Sequence, residues 1–203
     1  MTDKIGFVTG NEHKVDIFQE MMEPDFHIEQ LEPREEIKEK RTQAVSDVIE
    51  DKLAKARQMF TDEDGFLFVT DVGLYIEGLD GKPGALIKRK TKERFDGDFT
   101  QWCNVLDESD SRDATVRMVI GAANTESDRF FIEHNLEGRI PEEPQEGGHG
   151  FAWDTVFVPE WKAYDKDLGN KSLDQVQPDD KYDVLTKPAV TTFKQKLTEH
   201  LEN

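Results

Sequence analysis

Apolar residues in the first part of the chain recur at strand spacing and then at helix spacing. The continuous apolar run from Ile5 to Val8 predicts a short buried strand, and a second strand is predicted near Phe26 to Leu31. Between them we predict a helix from about Lys14 to Met22, whose apolar side consists of Val15, Ile17, Phe18 and Met21. The chain therefore begins with a strand, a polar turn, a helix and another strand.

A longer helix is predicted after an acidic stretch, with Thr42 as a candidate cap. Lys52 falls within the angular spread of its apolar stripe when residues are placed about 100° apart. A cation on the inward face of a helix needs an anion, so Lys52 is a candidate for binding one. The stripe consists of Val45, Val48, Ile49, Leu53, Ala56 and Phe60.

The centre of the chain predicts further strands. Phe66 to Val69 is a continuous apolar run that suits a central strand, and Leu74 to Ile76 is predicted to return as a hairpin. Alternation over residues 114–120 predicts a half-exposed antiparallel strand. No repeat or linker divides the chain, so we predict one domain over residues 1–203. The other predicted elements are a helix at Phe99 to Leu106, a strand at Phe130 to His134, a strand at Val156 to Val158 and a helix at Pro188 to Leu201.

Composition excludes several classes of function. With 44 acidic against 26 basic residues, the chain has a net charge of -18 and lacks the basic surface that binds nucleic acid. Cys103 is the single cysteine, which excludes an intramolecular disulfide and a cysteine zinc site and is compatible with a reducing cytoplasm. No window approaches the length that spans a membrane. We therefore expect a cytoplasmic protein without nucleic-acid or membrane partners.

A polar turn follows the first predicted strand. Thr9, Asn11 and the backbone amides around Gly10 precede a helix, so they offer donors and the positive end of a helix dipole to a phosphate. Lys14 follows one turn inside that helix. An ordinary capped turn explains the same residues, and their spacing alone favours it.

A single carboxylate, Asp71, is predicted at the carboxyl end of the central strand, where open α/β sheets place ligands. With Glu35, Glu36 or Glu39 it could hold Mg²⁺, which prefers a few carboxylates together with waters and substrate phosphates. The simpler interpretation is that Asp71 forms a turn and that residues 32–39 are a solvated acidic face.

A glycine-rich and aromatic segment spans residues 147–157. Its glycines let the backbone approach a ligand, while Phe151 and Trp153 could stack on a base and Asp154 could accept hydrogen bonds from the edge of that base. An aromatic hairpin that fills the core is the alternative. The isolated lysines that follow, including Lys181 and Lys187, decide nothing by themselves.

Taken together and in this order, these segments resemble the inosine triphosphate pyrophosphatase family, whose enzymes remove non-standard purine nucleotides. The resemblance covers nearly the full length of the chain. It rests on an opening Thr/Ser-x-Asn-x-x-Lys turn, an Asp-Thr/Ser-Gly-Leu motif with a Pro-Gly pair, and a Gly-Phe-Gly-Tyr/Trp-Asp motif. In this chain the corresponding residues are Thr9-Gly10-Asn11 with Lys14, Asp71-Val72-Gly73-Leu74 with Pro83-Gly84, and Gly150-Phe151-Ala152-Trp153-Asp154.

Two further positions are similar to the family, and three places depart from it. Lys52 resembles the family's helical lysine, and Glu36 resembles its metal carboxylate, with Glu35 or Glu39 as substitutes because the spacing to Lys52 is long. The departures are Thr70 before the aspartate, Ala152 in place of a glycine, and Lys181-Tyr182 with Leu185-Thr186-Lys187 where the family has Lys-Asn and Ser-His-Arg.

The resemblance implies an α/β fold with a long, mixed, twisted sheet flanked by helices, two lobes and a central cleft. It also implies a homodimer that hydrolyses nucleoside and deoxynucleoside triphosphates, such as ITP, dITP and XTP, to the monophosphate and pyrophosphate with Mg²⁺ or Mn²⁺. Asp71 would orient water or bind the metal with Glu36, and Lys52 would offset charge at the reacting phosphate. The implied substrate-binding residues are Thr9, Asn11, Lys14 and Lys52 for the phosphates and Phe151, Trp153, Asp154, Lys181 and Lys187 for the base.

Two other functions fit the same sequence. One is a pyrophosphatase of the same fold that acts on another modified or pyrimidine nucleotide, because Lys187 lacks the two-donor fork of the family's arginine. The other is a nucleotide-binding regulatory module that does not cleave. An assay with a panel of nucleoside triphosphates distinguishes the first alternative from the function that the resemblance implies. Tight binding of a nucleotide without pyrophosphate formation identifies the second.

Overall fold

The strands of the protein form one mixed sheet. We describe it from a computed structural model, which covers residues 3–35, 37–38, 40–61, 65–126 and 128–202. Within those residues the sheet has seven strands in the order β2-β1-β3-β5-β6-β7, with β4 paired to β3. The strands are β1 Asp3–Val8, β2 Phe26–Leu31, β3 Leu67–Ile76, β4 Lys82–Gly84, β5 Asp113–Ala123, β6 Arg129–Arg139 and β7 Val158–Pro159.

Helices cover the sheet, and the direction of its strands changes at β3. β1 runs parallel to both β2 and β3, whereas β3, β5, β6 and β7 pair antiparallel in succession. The predicted α/β fold, a long mixed sheet flanked by helices, is thus confirmed. None of the described helices is long and apolar enough to cross a membrane. The helices are α1 Glu12–Met22, α2 Val45–Met59, α3 Ile87–Phe95, α4 Pro178–Val184 and α5 Thr186–Leu201.

The two faces of the sheet bury different apolar clusters. On one face α1 and α5 cover an aromatic group in which Phe7 stacks on Phe68 with ring centroids 4.3 Å apart and Phe193 lies 5.0 Å from Phe68. On the other face α2 packs against Leu67 and Val69 of β3. Burial of these side chains is the main favourable term that holds the helices on the sheet.

The predicted stripe of α2 is confirmed for five of its six residues, because Val45, Val48, Ile49, Leu53 and Ala56 are all buried. The sixth, Phe60, follows the helix as its C-cap and is half-buried. The predicted cap is wrong. The helix begins at Val45 with Ala44 at the N-cap position. The Thr42 hydroxyl lies outside the helix, where it accepts a hydrogen bond of 3.3 Å from the Ala44 N–H.

β3 is longer than the sequence predicts, and the predicted hairpin at residues 74–76 is wrong. Every residue of β3 from Leu67 to Ile76 has a partner in β5, so the strand continues through Asp71 and Gly73. Gly73 does not end the strand. It admits a neighbouring segment, since a Cβ there would lie 2.9 Å from the Ala85 nitrogen. Asp71 consequently lies within a strand, and the antiparallel return is β4.

Two helices, α3 and α4, were not predicted, and several predicted elements differ in their type or bounds. The segment from Phe99 is helical, but as a 3-10 helix that ends at Asn104. Residues 152–156 also form a 3-10 helix, so the last strand starts only at Val158. Cys103 is buried, and burial raises the pKa of its thiol to about 11. A thiol with that pKa is protonated at neutral pH and unreactive.

Candidate functional site

The polar turn after β1 leaves the sheet beside the middle of β3. The parallel register pairs Phe7 with Phe68, and β1 ends one residue later at Val8, whereas β3 continues to Ile76. The chain that follows β1 therefore emerges along the part of β3 that contains Asp71. This juxtaposition follows from the difference in length between two parallel neighbours.

The turn itself is a capped helix start. The Thr9 hydroxyl accepts a hydrogen bond of 3.1 Å from the Asn11 N–H, and the Asn11 side-chain oxygen accepts one of 3.3 Å from the Lys14 N–H. Asn11 is thus the N-cap of α1. Both side chains shape the turn, and the same geometry directs the first amides of an 11-residue helix outward, where an anion is favoured.

Asp71 and Lys52 approach the same part of β3. Side chains alternate along a strand, so Asp71 shares the face of Leu67 and Val69, the face covered by α2. Lys52 on α2 is half-buried, and its ammonium group donates to the carbonyl oxygen of Thr70 over 3.4 Å. The structure therefore brings a cation of α2 to the residue immediately before Asp71. Asp71 is half-exposed, and its Oδ1 accepts a hydrogen bond of 2.8 Å from the next backbone N–H.

Tyr75 fixes the start of α2 over β3, a role that the sequence analysis missed. Its hydroxyl accepts a hydrogen bond of 2.9 Å from the Val45 N–H and donates one of 2.9 Å to the Gln43 carbonyl. Burial raises the pKa of Tyr75, so the hydroxyl keeps the proton that it donates. Because α2 carries Lys52, this anchor also helps to set the position of Lys52 relative to Asp71.

The predicted ligands of the metal ion are carboxylate oxygens. Glu36 and Glu39, two of the predicted metal carboxylates, lie outside the described residues, and Glu35 is exposed. Among the residues that the structure describes, no group of three or more His, Cys, Asp or Glu side chains is arranged to hold a metal. A half-exposed carboxylate such as that of Asp71 suits a hard cation that keeps waters and takes its other oxygens from a substrate.

The second predicted cluster comes together around one buried carboxylate. Asp154 is 2% exposed, pairs with the ammonium group of Lys181, and accepts a hydrogen bond of 2.7 Å from the Phe151 N–H. Phe151 is 82% exposed, so it does not fill the core. Trp153 is half-buried, with its ring edge-on to Phe157 at 6.2 Å. The cluster therefore presents one bare aromatic ring beside a buried ion pair.

The environment of Asp154 opposes its ionisation. Burial raises the pKa of this carboxyl, the charge of Lys181 and the hydrogen bonds from Lys181 and Phe151 partly offset the effect, and Asp174 raises the pKa further. Lys181 is thus the counter-charge that a buried aspartate requires.

The residue between Phe151 and Trp153 has unusual backbone geometry. Ala152 adopts a φ of 57°, in the left-handed region that glycine occupies without a steric penalty. The family that the motifs resemble has glycine at this position. This chain therefore retains the left-handed backbone conformation at a residue whose side chain disfavours it. The conformation is therefore imposed by the surrounding contacts.

Asp174 organises the glycine-rich loop and was also missed. Its carboxylate accepts hydrogen bonds from the N–H groups of Gly147, Gly148 and Gly150, and its backbone oxygen accepts one from His149. The glycines therefore allow the backbone of the loop to approach Asp174 closely. Three glycines within four residues are a signal that could have indicated an anion partner for the loop.

Lys187 lies apart from the pair formed by Lys181 and Asp154. α4 ends at Val184 and α5 starts at Thr186, so the two lysines project from different helices. The Lys187 side chain is 64% exposed and pairs with Asp183 at 3.0 Å. It lines a groove of about 880 Å³ between α1, α4 and α5, whose lining includes neither Asp71 nor Phe151.

Comparisons with known proteins agree with this architecture. The family described as the Ham1 family matches residues 5–184. The dITP/XTP pyrophosphatase of Thermoanaerobacter sp. (strain X514) is 28% identical over 209 residues, covering 98% of each chain. The dITP/XTP pyrophosphatase of Bacillus subtilis (strain 168) is 28% identical over 176 residues, or 82% of this chain and 85% of the relative.

Two solved structures share the fold. A HAM1 protein from Coxiella burnetii superposes with a TM-score of 0.79 at 22% identity and covers 98% of this chain and 100% of its own. The Staphylococcus aureus Ham1 protein superposes with a TM-score of 0.77 at 18% identity, covering 98% and 99%. The resemblance drawn from the motifs is confirmed, and the low identities agree with a divergent member.

Proposed function

Because the chain belongs to the Ham1 family, we propose that it is a hydrolase that cleaves non-standard purine nucleoside triphosphates, such as ITP, dITP and XTP, to the monophosphate and pyrophosphate. The printed names of its relatives support this class of substrate. The observation that carries the proposal is the ammonium group of Lys52, which lies 3.4 Å from the Thr70 carbonyl and so next to Asp71. The turn of Thr9 and Asn11 emerges beside the same strand.

At the phosphate end, cations and amides would offset the charge of the triphosphate. Lys14 and Lys52 supply ammonium groups, and the turn of Thr9 and Asn11 directs the amides of α1 at an anion. Charge that develops on the oxygens of the α-phosphorus is stabilised by such fixed donors. Asp71 would orient the water that attacks this phosphorus.

The proposed metal site combines Asp71 with Glu36. When bound, Mg²⁺ or Mn²⁺ would neutralise phosphate charge and polarise the phosphoryl group. Asp71 offers a half-exposed carboxylate for this purpose, and its Oδ1 is oriented by the backbone N–H of Val72. The assignment of Glu36, with Glu35 or Glu39 as substitutes, stays a prediction.

At the base end, the exposed ring of Phe151 would stack on the purine, with Trp153 beside it. The buried Asp154 would accept hydrogen bonds from the base, while Lys181 balances its charge. Lys187 pairs with Asp183 apart from these residues, and its part in recognition of the base stays a prediction. The homodimeric state, the single domain and the cytoplasmic location stay predictions.

A screen for pyrophosphate release tests the proposal. We expect ITP, dITP and XTP to be cleaved faster than ATP, GTP and the pyrimidine nucleotides, with activity that requires Mg²⁺ or Mn²⁺ and disappears in EDTA because the phosphate charge is then not neutralised. Faster cleavage of a pyrimidine nucleotide would favour the alternative substrate. Tight binding of nucleotides without any pyrophosphate, with either metal present, would favour a regulatory module.

Lys187→Ala is expected to change the ranking of nucleotides more than the rate on the best one. An exposed charge contributes up to about 1 kcal/mol, so the ratio of kcat/KM between two purines should shift by about fivefold. Steady-state kinetics on ITP, XTP and GTP measure this ratio. Lys196→Ala removes another exposed, paired lysine of α5 and should leave the ranking unchanged. An equal loss on every nucleotide would mean that Lys187 binds phosphate or supports the structure.

A further inference from the structure

The backbone N–H groups of residues 147–151 point at two aspartates. Those of Gly148 and Gly150 donate to the carboxylate of Asp174 over 2.9 and 2.6 Å, and that of Gly147 donates to the same carboxylate. The next N–H in the chain, that of Phe151, donates to Asp154 over 2.7 Å. A concave run of amides of this kind binds anions. Here the anions are carboxylates of the protein itself, those of Asp174 and Asp154.

Asp174 is itself held firmly in place. It lies in a 3-10 helix, Leu173–Gln175, and is 5% exposed. The Leu173 N–H donates to the Phe157 carbonyl over 3.1 Å, and the Ser172 hydroxyl donates to the Gln145 carbonyl over 2.8 Å. The carboxylate is therefore a fixed point against which the loop is positioned.

Steric contacts show that the loop fits closely around this carboxylate. A Cβ at Gly147 would lie 2.4 Å from the backbone oxygen of Asp174, and one at Gly150 would lie 2.5 Å from its Oδ1. Burial opposes the ionisation of Asp174, but the amides of Gly147, Gly148 and Gly150 outweigh it and keep the pKa of this carboxyl below its ordinary value. A charged acceptor therefore persists at neutral pH.

We propose that Asp174 is a positioning residue for nucleobase recognition, which holds the glycine-rich loop so that the exposed ring of Phe151 faces the base. The proposal rests on the proposed function. Phe151 follows directly after the last amide held by Asp174, and its own N–H is held by Asp154. Since Asp174 fills the anion-binding concavity of the loop, the substrate phosphates are left to the amides of α1 and to Lys14 and Lys52.

Asp174→Asn tests the proposal with little change in volume. An amide keeps one acceptor oxygen but turns an NH₂ group toward N–H donors, so the loop loses part of its anchor. We expect hydrogen exchange of the amides at 147–151 to become at least about tenfold faster, with no change in β5 and β6. We expect the KM for ITP to rise about tenfold with kcat nearly unchanged, as for a lost binding contact.

The controls separate loop positioning from a general structural role. Asp167→Asn replaces an exposed aspartate that lies seven residues before Asp174 in the chain and should leave both measurements unchanged. Inorganic tripolyphosphate has no base, so its inhibition constant should be the same in Asp174→Asn and in the wild-type chain. Unchanged exchange at 147–151, an unchanged KM, faster exchange throughout the chain, or weaker inhibition by tripolyphosphate would each overturn the proposal.

The proposed function and this inference can fail separately. If the wild-type chain releases no pyrophosphate, the proposed function fails, while the exchange measurement and equilibrium dialysis with ITP still decide the role of Asp174. Dialysis is then expected to show about tenfold weaker binding of ITP by Asp174→Asn, and equal binding would overturn the positioning role.

Discussion

Asp71→Asn is expected to lower kcat for pyrophosphate release by about a thousandfold or more while the chain folds normally. A positioned carboxylate that orients water or holds a metal contributes on this scale, and an amide cannot carry the negative charge. The fold should persist because Asp71 is half-exposed and its place in β3 is fixed by backbone pairing opposite Val119. Single-turnover kinetics and thermal unfolding measure the two effects.

A matched aspartate provides the control for this prediction. Asp113 is an exposed residue at the start of β5, and Asp113→Asn changes the same chemical group on the same sheet. We expect its kcat to stay within about twofold of the wild-type value, since exposed substitutions away from a site have small effects. If Asp71→Asn also retained wild-type turnover, Asp71 would have no part in the reaction, and the proposed arrangement of the phosphate end would be wrong.

Lys181→Met is expected to lower the free energy of unfolding by about 3–5 kcal/mol, because it leaves Asp154 buried without its counter-charge. Lys187→Met is the matched control, since it also removes a lysine paired with an aspartate, but at the surface. The control should cost less than about 1 kcal/mol. Urea unfolding of both variants measures the difference.

The loss in Lys181→Met should depend on pH. The folded pKa of Asp154 already lies above the ordinary value of 3.8, chiefly through burial. A folded state that holds the proton more tightly than the unfolded state loses stability as pH rises from 3.8 through the folded pKa. Removing Lys181 removes an interaction that lowers this pKa, so the folded pKa of Asp154 rises further. The pH range over which stability is lost then extends upward. The variant should therefore lose more stability at pH 8 than at pH 5.

A second substitution makes the prediction decisive. Asp154→Asn in the Lys181→Met background removes the uncompensated charge and should recover most of the lost stability, together with its dependence on pH. If Lys181→Met and Lys187→Met were equally stable, or if the double variant were no more stable than Lys181→Met, the Lys181 charge would not support Asp154.

Local patterns of apolar residues predicted the elements in which the sequence itself shows which side chains are buried. The stripe on α2 could be predicted because burial repeats at the helical period, and β2 because Phe26 and Ile28 are buried on either side of the exposed His27. α3 has few apolar residues and α4 is only seven residues long, so neither has enough apolar periods to be recognised. The extent of β3 could not be predicted, because pairing with β5 continues the strand through residues that look like a turn.

The sequence by itself determined the family, the α/β class, the strong negative charge and the order of the motifs, because these depend on residue identity and local spacing. Only the tertiary structure decided which side chains meet. Asp174 contacts the loop at residues 147–150, Lys181 turns inward to Asp154, and Lys187 turns outward to Asp183. The first two contacts join segments that are distant in the sequence, and the third depends on where α4 ends and α5 begins, so local spacing alone does not determine them.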